Sequence, residues 1–163
     1  MLNQDFEHLE RAGEYWRGGQ PLEAGRLIFE NLPAQVRPRW ASKILRLAVG
    51  RSGSSVPPID HLLEIADRPT EWGNAHRVFS LLRKSTLDLE RLQNRTPEQE
   101  IVIHNLYLAE NVAKVIYNST DPPDEFDEDS GWWVVACLRG IVDWWNDEEF
   151  SEEAWSALCF DGG

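Results

Sequence analysis

The sequence predicts an all-α fold, an irregular bundle of seven or eight helices built from helical hairpins. Apolar residues recur at three- and four-residue spacings along nearly the whole chain, and no stretch alternates convincingly as a strand would. Prolines and glycines stand where helices should start and stop. With 163 residues, 42% apolar and 27% charged, the chain can bury one core without disulfides or metals, so residues 1–163 read as a single domain.

The first helix spans about 5–17, with Phe6, Leu9, Gly13 and Trp16 along one face, and Gly18-Gly19 suit a left-handed C-terminal cap. Pro21 suits the first turn of a second helix, whose Leu22, Ile28, Phe29 and Leu32 face inward before Pro33 ends it. These two form a helical hairpin. Pro38 opens a third helix running to Val49, with Trp40, Ile44, Leu47 and Ala48 apolar and with Arg39, Lys43 and Arg46 on one cationic stripe. Past the Ser/Gly loop 50–57, Pro58 begins a short helix ending near Ala66.

From Pro69 to about Leu92, the residues Trp72, Ala75, Phe79, Leu82, Thr86 and Leu89 alternate at three and four, a short heptad seam open to a core role or to a homodimer. In Thr96-Pro97-Glu98-Gln99, Thr is the N-cap, Pro is N1 and Gln is N3, a strong start for a helix to about Asn118 with Ile101, Leu108, Val112 and Val115 inward. The few residues between these two long helices predict antiparallel packing. Thr120-Asp121-Pro122-Pro123 ends the second of them, and an acidic loop leads into a helix over about 130–145. That helix is apolar around most of its circumference and is relieved mainly by an Arg139–Asp143 ion pair. Ser151 is expected to cap a last short helix carrying Trp155, Leu158 and Phe160.

Charge is segregated. The net charge is −12, and residues 119–163 hold thirteen acids against Arg139 alone, so residues 1–118 sum to zero. The same segment holds five of the eight tryptophans: Trp132, Trp133, Trp144, Trp145 and Trp155. Such acidity opposes binding to nucleic acid and to anionic membranes, and it favours a basic protein partner. The N-terminus lacks a signal-peptide pattern, no apolar run is long enough to span a membrane, and Cys137 and Cys159 read as buried free thiols. A reducing cytoplasm fits these features.

Residues 13–32, GEYWRGGQPLEAGRLIFENL, resemble a tetratricopeptide-repeat hairpin. Gly19 and Ala24 match the glycine before the turn and the small residue five positions on, Tyr15 takes the aromatic position, and Ala12 is small where Gly is usual. His8, Arg11, Asn31 and Val36 depart from the pattern, and the likeness covers about a fifth of the chain. Arg37-Pro38-Arg39-Trp40 and Arg68-Pro69-Thr70-Glu71-Trp72 echo one another, with tryptophans 32 residues apart, near the period of helical solenoids. The resemblance implies a scaffold that binds peptides or proteins without inherent catalysis.

Chemistry-bearing patterns are few. The acids Asp121, Asp124, Glu125, Asp127, Glu128 and Asp129 fail the calcium-loop register, because Gly131 at position 6 puts Phe126 at 1 and Cys137 at 12. His61 with Glu64 and Glu100 with His104 read as surface pairs rather than metal ligands. Nucleophile elbow, P-loop and dinucleotide fingerprints are absent, so no catalytic residue, cofactor or metal is assigned. Six cations against Glu23 and Glu30 make residues 22–51 locally basic, and this patch is expected to receive the acidic C-terminal region.

Trp16, Trp40 and Trp72 fall on core faces, and core burial is also the favoured reading for the Trp133/Trp144 and Trp132/Trp145 pairs, with a partner-facing role for one pair as the alternative. The function expected is a noncatalytic protein-binding module or adaptor that recognises a basic surface. The residues expected to carry it are Asp124, Glu125, Asp127, Glu128, Asp129, Trp132, Trp145, Asp147, Glu148, Glu149, Glu152 and Glu153. The alternative is an inhibitor, such as an antitoxin, immunity protein or nucleic-acid mimic, that blocks the cationic site of an enzyme.

Overall fold

Local signals set the helix boundaries. At residues 15–20, Gln20 N–H donates to Tyr15 O at 2.8 Å and Gly19 N–H to Trp16 O at 3.3 Å, with Gly19 at φ +76°, the Schellman arrangement that stops a helix in one residue. Thr96 and Gln99 form a reciprocal capping box with Pro97 behind it. Gly53, at φ +68°, closes another helix.

The computed structural model describes residues 2–120 and 130–159, with side chains from residue 7 onward. These contain eight α-helices and no strand: α1 (Leu2–Arg17), α2 (Pro21–Glu30), α3 (Arg37–Ser52), α4 (Pro57–Ala66), α5 (Ala75–Glu90), α6 (Pro97–Asn118), α7 (Ser130–Trp145) and α8 (Glu148–Leu158). Tight 3₁₀ turns occupy Ala34–Val36 and Pro69–Asn74. The all-α bundle expected from periodicity is the one observed. No described helix is long and apolar enough to cross a membrane.

The longest helix, α6, lies at the centre. It packs against α3, α4, α5 and α7, and residues from Ile101 to Ile116 are buried around most of its circumference. Contacts between α5 and α6 run in opposite order: His76 meets Tyr117, Lys114 lies over Phe79, Arg83 pairs with Glu110 and Glu90 bonds Tyr107. The two are therefore antiparallel, and the inward residues of the heptad seam, Ala75, Leu82 and Thr86, are buried within the chain. Wholly buried Trp40 donates its indole N–H to Leu158 O at 3.1 Å, which joins α3 to α8.

The hairpin of α1 and α2 rests on α7 through small residues. A Cβ at Gly25 would stand 3.0 Å from the Trp132 backbone, and one at Gly131 would overlap the Phe29 ring. Two helices can approach this closely only where side chains are missing.

Several expectations change. The helix expected from Pro69 begins at Ala75, because Pro69–Asn74 winds more tightly while Trp72 donates its indole N–H to Ala66 O at 3.0 Å. Ser151 lies inside α8, and Asp147 is the cap, accepting from Glu149 and Phe150 N–H at 3.0 and 3.4 Å. Leu9 and Leu22 are exposed, since the hairpin closes on Ala12, Trp16, Ala24, Ile28 and Phe29 instead. The side chain of Phe6, and Phe160, lie outside the described residues. The tryptophan pairs are not both buried: Trp133 is 45% exposed, while Trp132, Trp144 and Trp145 are half-buried against the core.

Gly131→Ala is expected to lower stability in urea unfolding by about 1–3 kcal/mol, because the new methyl must displace the Phe29 ring. An unchanged midpoint would show that α2 and α7 can separate without loss.

Candidate functional site

The acids of α8 divide into two groups. Asp147 is engaged internally: besides capping the helix, it accepts from Arg51 Nη2 at 2.7 Å. Arg51 also lies over the Trp145 ring at 4.9 Å and near Phe150 at 5.6 Å, which fixes the start of α8 on α3. Phe150, Ala154, Ala157 and Leu158, spaced at four, three and one, bury one face. The opposite face leaves Glu148, Glu149, Glu152 and Glu153 exposed.

Three of these four carboxylates line a cleft of about 470 Å³ between the end of α1, α7 and α8. Trp16, Arg17, Arg139, Ser151 and Trp155 complete it. Arg139 donates to Trp16 O at 2.5 Å and to Asp143 at 3.1 Å, the ion pair expected from the spacing, and its guanidinium stands 5.2 Å from the Trp16 ring. Arg17 lies 6.0 Å from the Trp155 ring, and the two indoles are 6.4 Å apart. The aromatic faces thus already accept guanidinium groups, beside carboxylates that an incoming cation can reach. This geometry suits recognition of a cationic side chain.

The remaining predicted site residues are dispersed. Trp132 has Arg26 over its ring at 5.7 Å, and Trp145 meets both Arg51 and the edge of Trp144, with ring centroids 4.7 Å apart. Asp121, Asp124, Glu125, Asp127, Glu128 and Asp129 lie outside the described residues. Of the basic patch, Arg51 meets one C-terminal acid, Asp147, whereas Arg26 pairs with Glu30 and Arg46 with Asp67 at 2.8 Å. Glu100 turns from His104 to Arg95 at 2.7 Å. Burial pushes the half-buried His104 below the usual histidine range, against the opposing charge of Glu100. Among the described residues no group of three or more His, Cys, Asp or Glu converges to hold a metal.

A second cavity, of about 560 Å³, went unnoticed in the sequence. It runs along α6 between α5 and α7, and Tyr107, Glu110, Asn111 and Lys114 form its floor at helical spacing. Phe79 and Arg83 supply one wall, Trp133 and Cys137 the other. Burial raises the Glu110 carboxyl above the ordinary glutamate value, although Arg83 and Thr86 each bond it at 3.3 Å. The Thr86 hydroxyl also lies 3.0 Å from Leu82 O, so its one proton cannot fully serve both acceptors. The Arg83 and Thr86 bonds both favour the carboxylate, and burial outweighs them. Tyr107 is pushed up to about 12, chiefly by its hydrogen bond to Glu90, and burial pushes Cys137 up to about 11. Cys137 and Cys159 are both free and half-buried. The sequence signal was Glu110 itself, an acid between Leu108 and Val112 on a core-facing helix.

The chain matches no family model, and no curated protein or solved structure matches it.

The raised Glu110 value has a definite sign. The folded protein binds this proton more tightly than the unfolded chain does, so the Glu110 contribution to stability declines as pH rises from the ordinary glutamate value through the folded one. Melting curves of wild type and Glu110→Gln should therefore show the variant gaining relative stability as pH rises from 4 to 7. The reverse trend would mean that the Arg83 interaction outweighs burial.

Proposed function

We propose that the protein is a noncatalytic protein-binding module, an adaptor that recognises a basic protein surface through the outer face of α8. The observation that carries this reading is the cleft, where Glu148, Glu149 and Glu152 stand beside the Trp16 and Trp155 rings. Carboxylates steer a cationic partner and the aromatic surface supplies contact energy. Glu153 extends the acidic rim. In this reading Asp147 and Trp145 hold the start of α8 through Arg51, and Trp132 stands apart from the cleft beside Arg26.

The α1–α2 hairpin serves as a tetratricopeptide-like scaffold element. The left-handed Gly19 at its turn and the buried Ala24 support that assignment. Two free thiols suit a reducing, cytoplasmic setting.

Wild type and the quadruple variant Glu148→Lys, Glu149→Lys, Glu152→Lys, Glu153→Lys should be compared as baits in host lysate at low and raised salt. The expected result is a basic protein held by wild type, released by salt and lost from the variant, which keeps its helical circular dichroism. A captured enzyme that stays active supports the adaptor, and one inactivated on capture assigns the same surface to an inhibitor. If both baits retain the same proteins, α8 is not the recognition surface.

A further inference from the structure

The cleft beside α8 already holds a guanidinium of the chain's own. Arg17, exposed in the last turn of α1, lies 6.0 Å from the centre of the Trp155 ring. Gly13, one turn earlier, leaves room for this contact: a Cβ there would stand 3.1 Å from Trp155 Cζ2 and 3.2 Å from Arg17 Nη1. Arg139, the other cation of the lining, is committed to Trp16 O and to Asp143. Glu148, Glu149 and Glu152 are exposed, and neither they nor Arg17 form a salt bridge among the described residues. An exposed cation–π contact is weak, so Arg17 can leave the ring easily.

Resting on the reading of α8 as the recognition surface, we propose that this cleft takes an arginine side chain of the partner protein, which displaces Arg17 from the Trp155 ring. Arg17 marks where a guanidinium sits, and the three glutamates mark the charge it leaves uncompensated. A guanidinium is planar and weakly hydrated, so it stacks on an indole while its fork meets a carboxylate through two parallel bonds. The lysine ammonium is compact and strongly hydrated and lacks that fork. Arg17 is then an intramolecular competitor that an incoming side chain must outdo at the ring, a threshold that selects arginine over lysine. The cleft of about 470 Å³ lies within the usual range of ligand sites, roughly 300–1,000 Å³, and leaves space for the peptide backbone that carries the arginine. Free arginine would bring its own carboxylate among Glu148, Glu149 and Glu152, and this opposition of like charges favours arginine within a chain.

The test titrates the blocked tripeptide acetyl-Gly-Arg-Gly-amide, and its counterpart with lysine in the middle, into the full chain, followed by amide and indole N–H NMR at fixed ionic strength. Saturable shifts confined to the end of α1, α8 and the Trp155 indole are expected, with the arginine peptide bound at least about threefold more tightly. Arg17→Lys keeps the charge but gives up the guanidinium on the ring, and it should bind the arginine peptide at least about twofold more tightly than wild type does. Arg17 is exposed, so the melting temperature of this variant should stay close to that of wild type. Equal affinity for the two peptides, or no gain in Arg17→Lys, would overturn the arginine proposal while leaving α8 a general cation surface. Tighter binding of free arginine than of the blocked peptide would make the cleft a small-molecule site and overturn it as well. Absence of shifts with both peptides overturns it too, and the lysate comparison of wild type with the quadruple variant then decides the α8 surface separately.

Discussion

The burial of α6 is the constraint on which the rest of the architecture depends. A helix apolar on most sides cannot be covered by a single neighbour, and here α3, α4, α5 and α7 share the task. That enclosure places Glu110 and Asn105 where water does not reach them freely. Asn105 donates to Ser52 Oγ at 3.1 Å while its carbonyl oxygen has no hydrogen-bond partner among the described residues. Such groups cost stability in proportion to how poorly they are bonded, and both face seams between helices. Asn105 meets α3 at Ser52, and Glu110 meets α5 at Arg83 and Thr86, so each bonds across a helix junction.

Charge segregation in the sequence acquires structural meaning in α8. The acids here have one composition but two roles: Asp147, extended at the N-cap, meets Arg51, while helical geometry turns Glu148, Glu149, Glu152 and Glu153 toward solvent. Negative charge in the first turn also complements the helix dipole, so part of the acidity stabilises the helix irrespective of any partner. The net charge of the segment alone could not separate these contributions.

What was legible in the sequence was local. Thr96 and Gln99 announce a helix start because the capping box is complete within four residues, and Gly19 announces a stop because only a left-handed residue ends that helix. Tertiary partnership was not local. Ser151 and Asp147 are both good caps, and the choice between them follows from Asn146, which turns left-handed at φ +51° and ends α7 just before Asp147. Period could not tell which face of α7 would be covered, so Trp133 came out exposed while its neighbour Trp132 did not. For the candidate site the same division holds: the α8 carboxylates stood out as a run, but Trp16, Arg17 and Arg139 joined them only through folding.

The glycine crossing of α2 and α7 bears on how the chain acquires its structure during synthesis. Phe29 and Gly131 are 102 positions apart. At about 5–20 residues per second, the ribosome needs roughly 5–20 s to deliver the second surface after the first. Through that interval the Ile28 and Phe29 face of the first hairpin lacks its α7 cover, although Trp40 and Arg37, which also touch the Phe29 ring, follow within a dozen residues. Together with the Trp40–Leu158 and Arg51–Asp147 contacts, the crossing gives this helical protein a higher contact order than its hairpins alone would have.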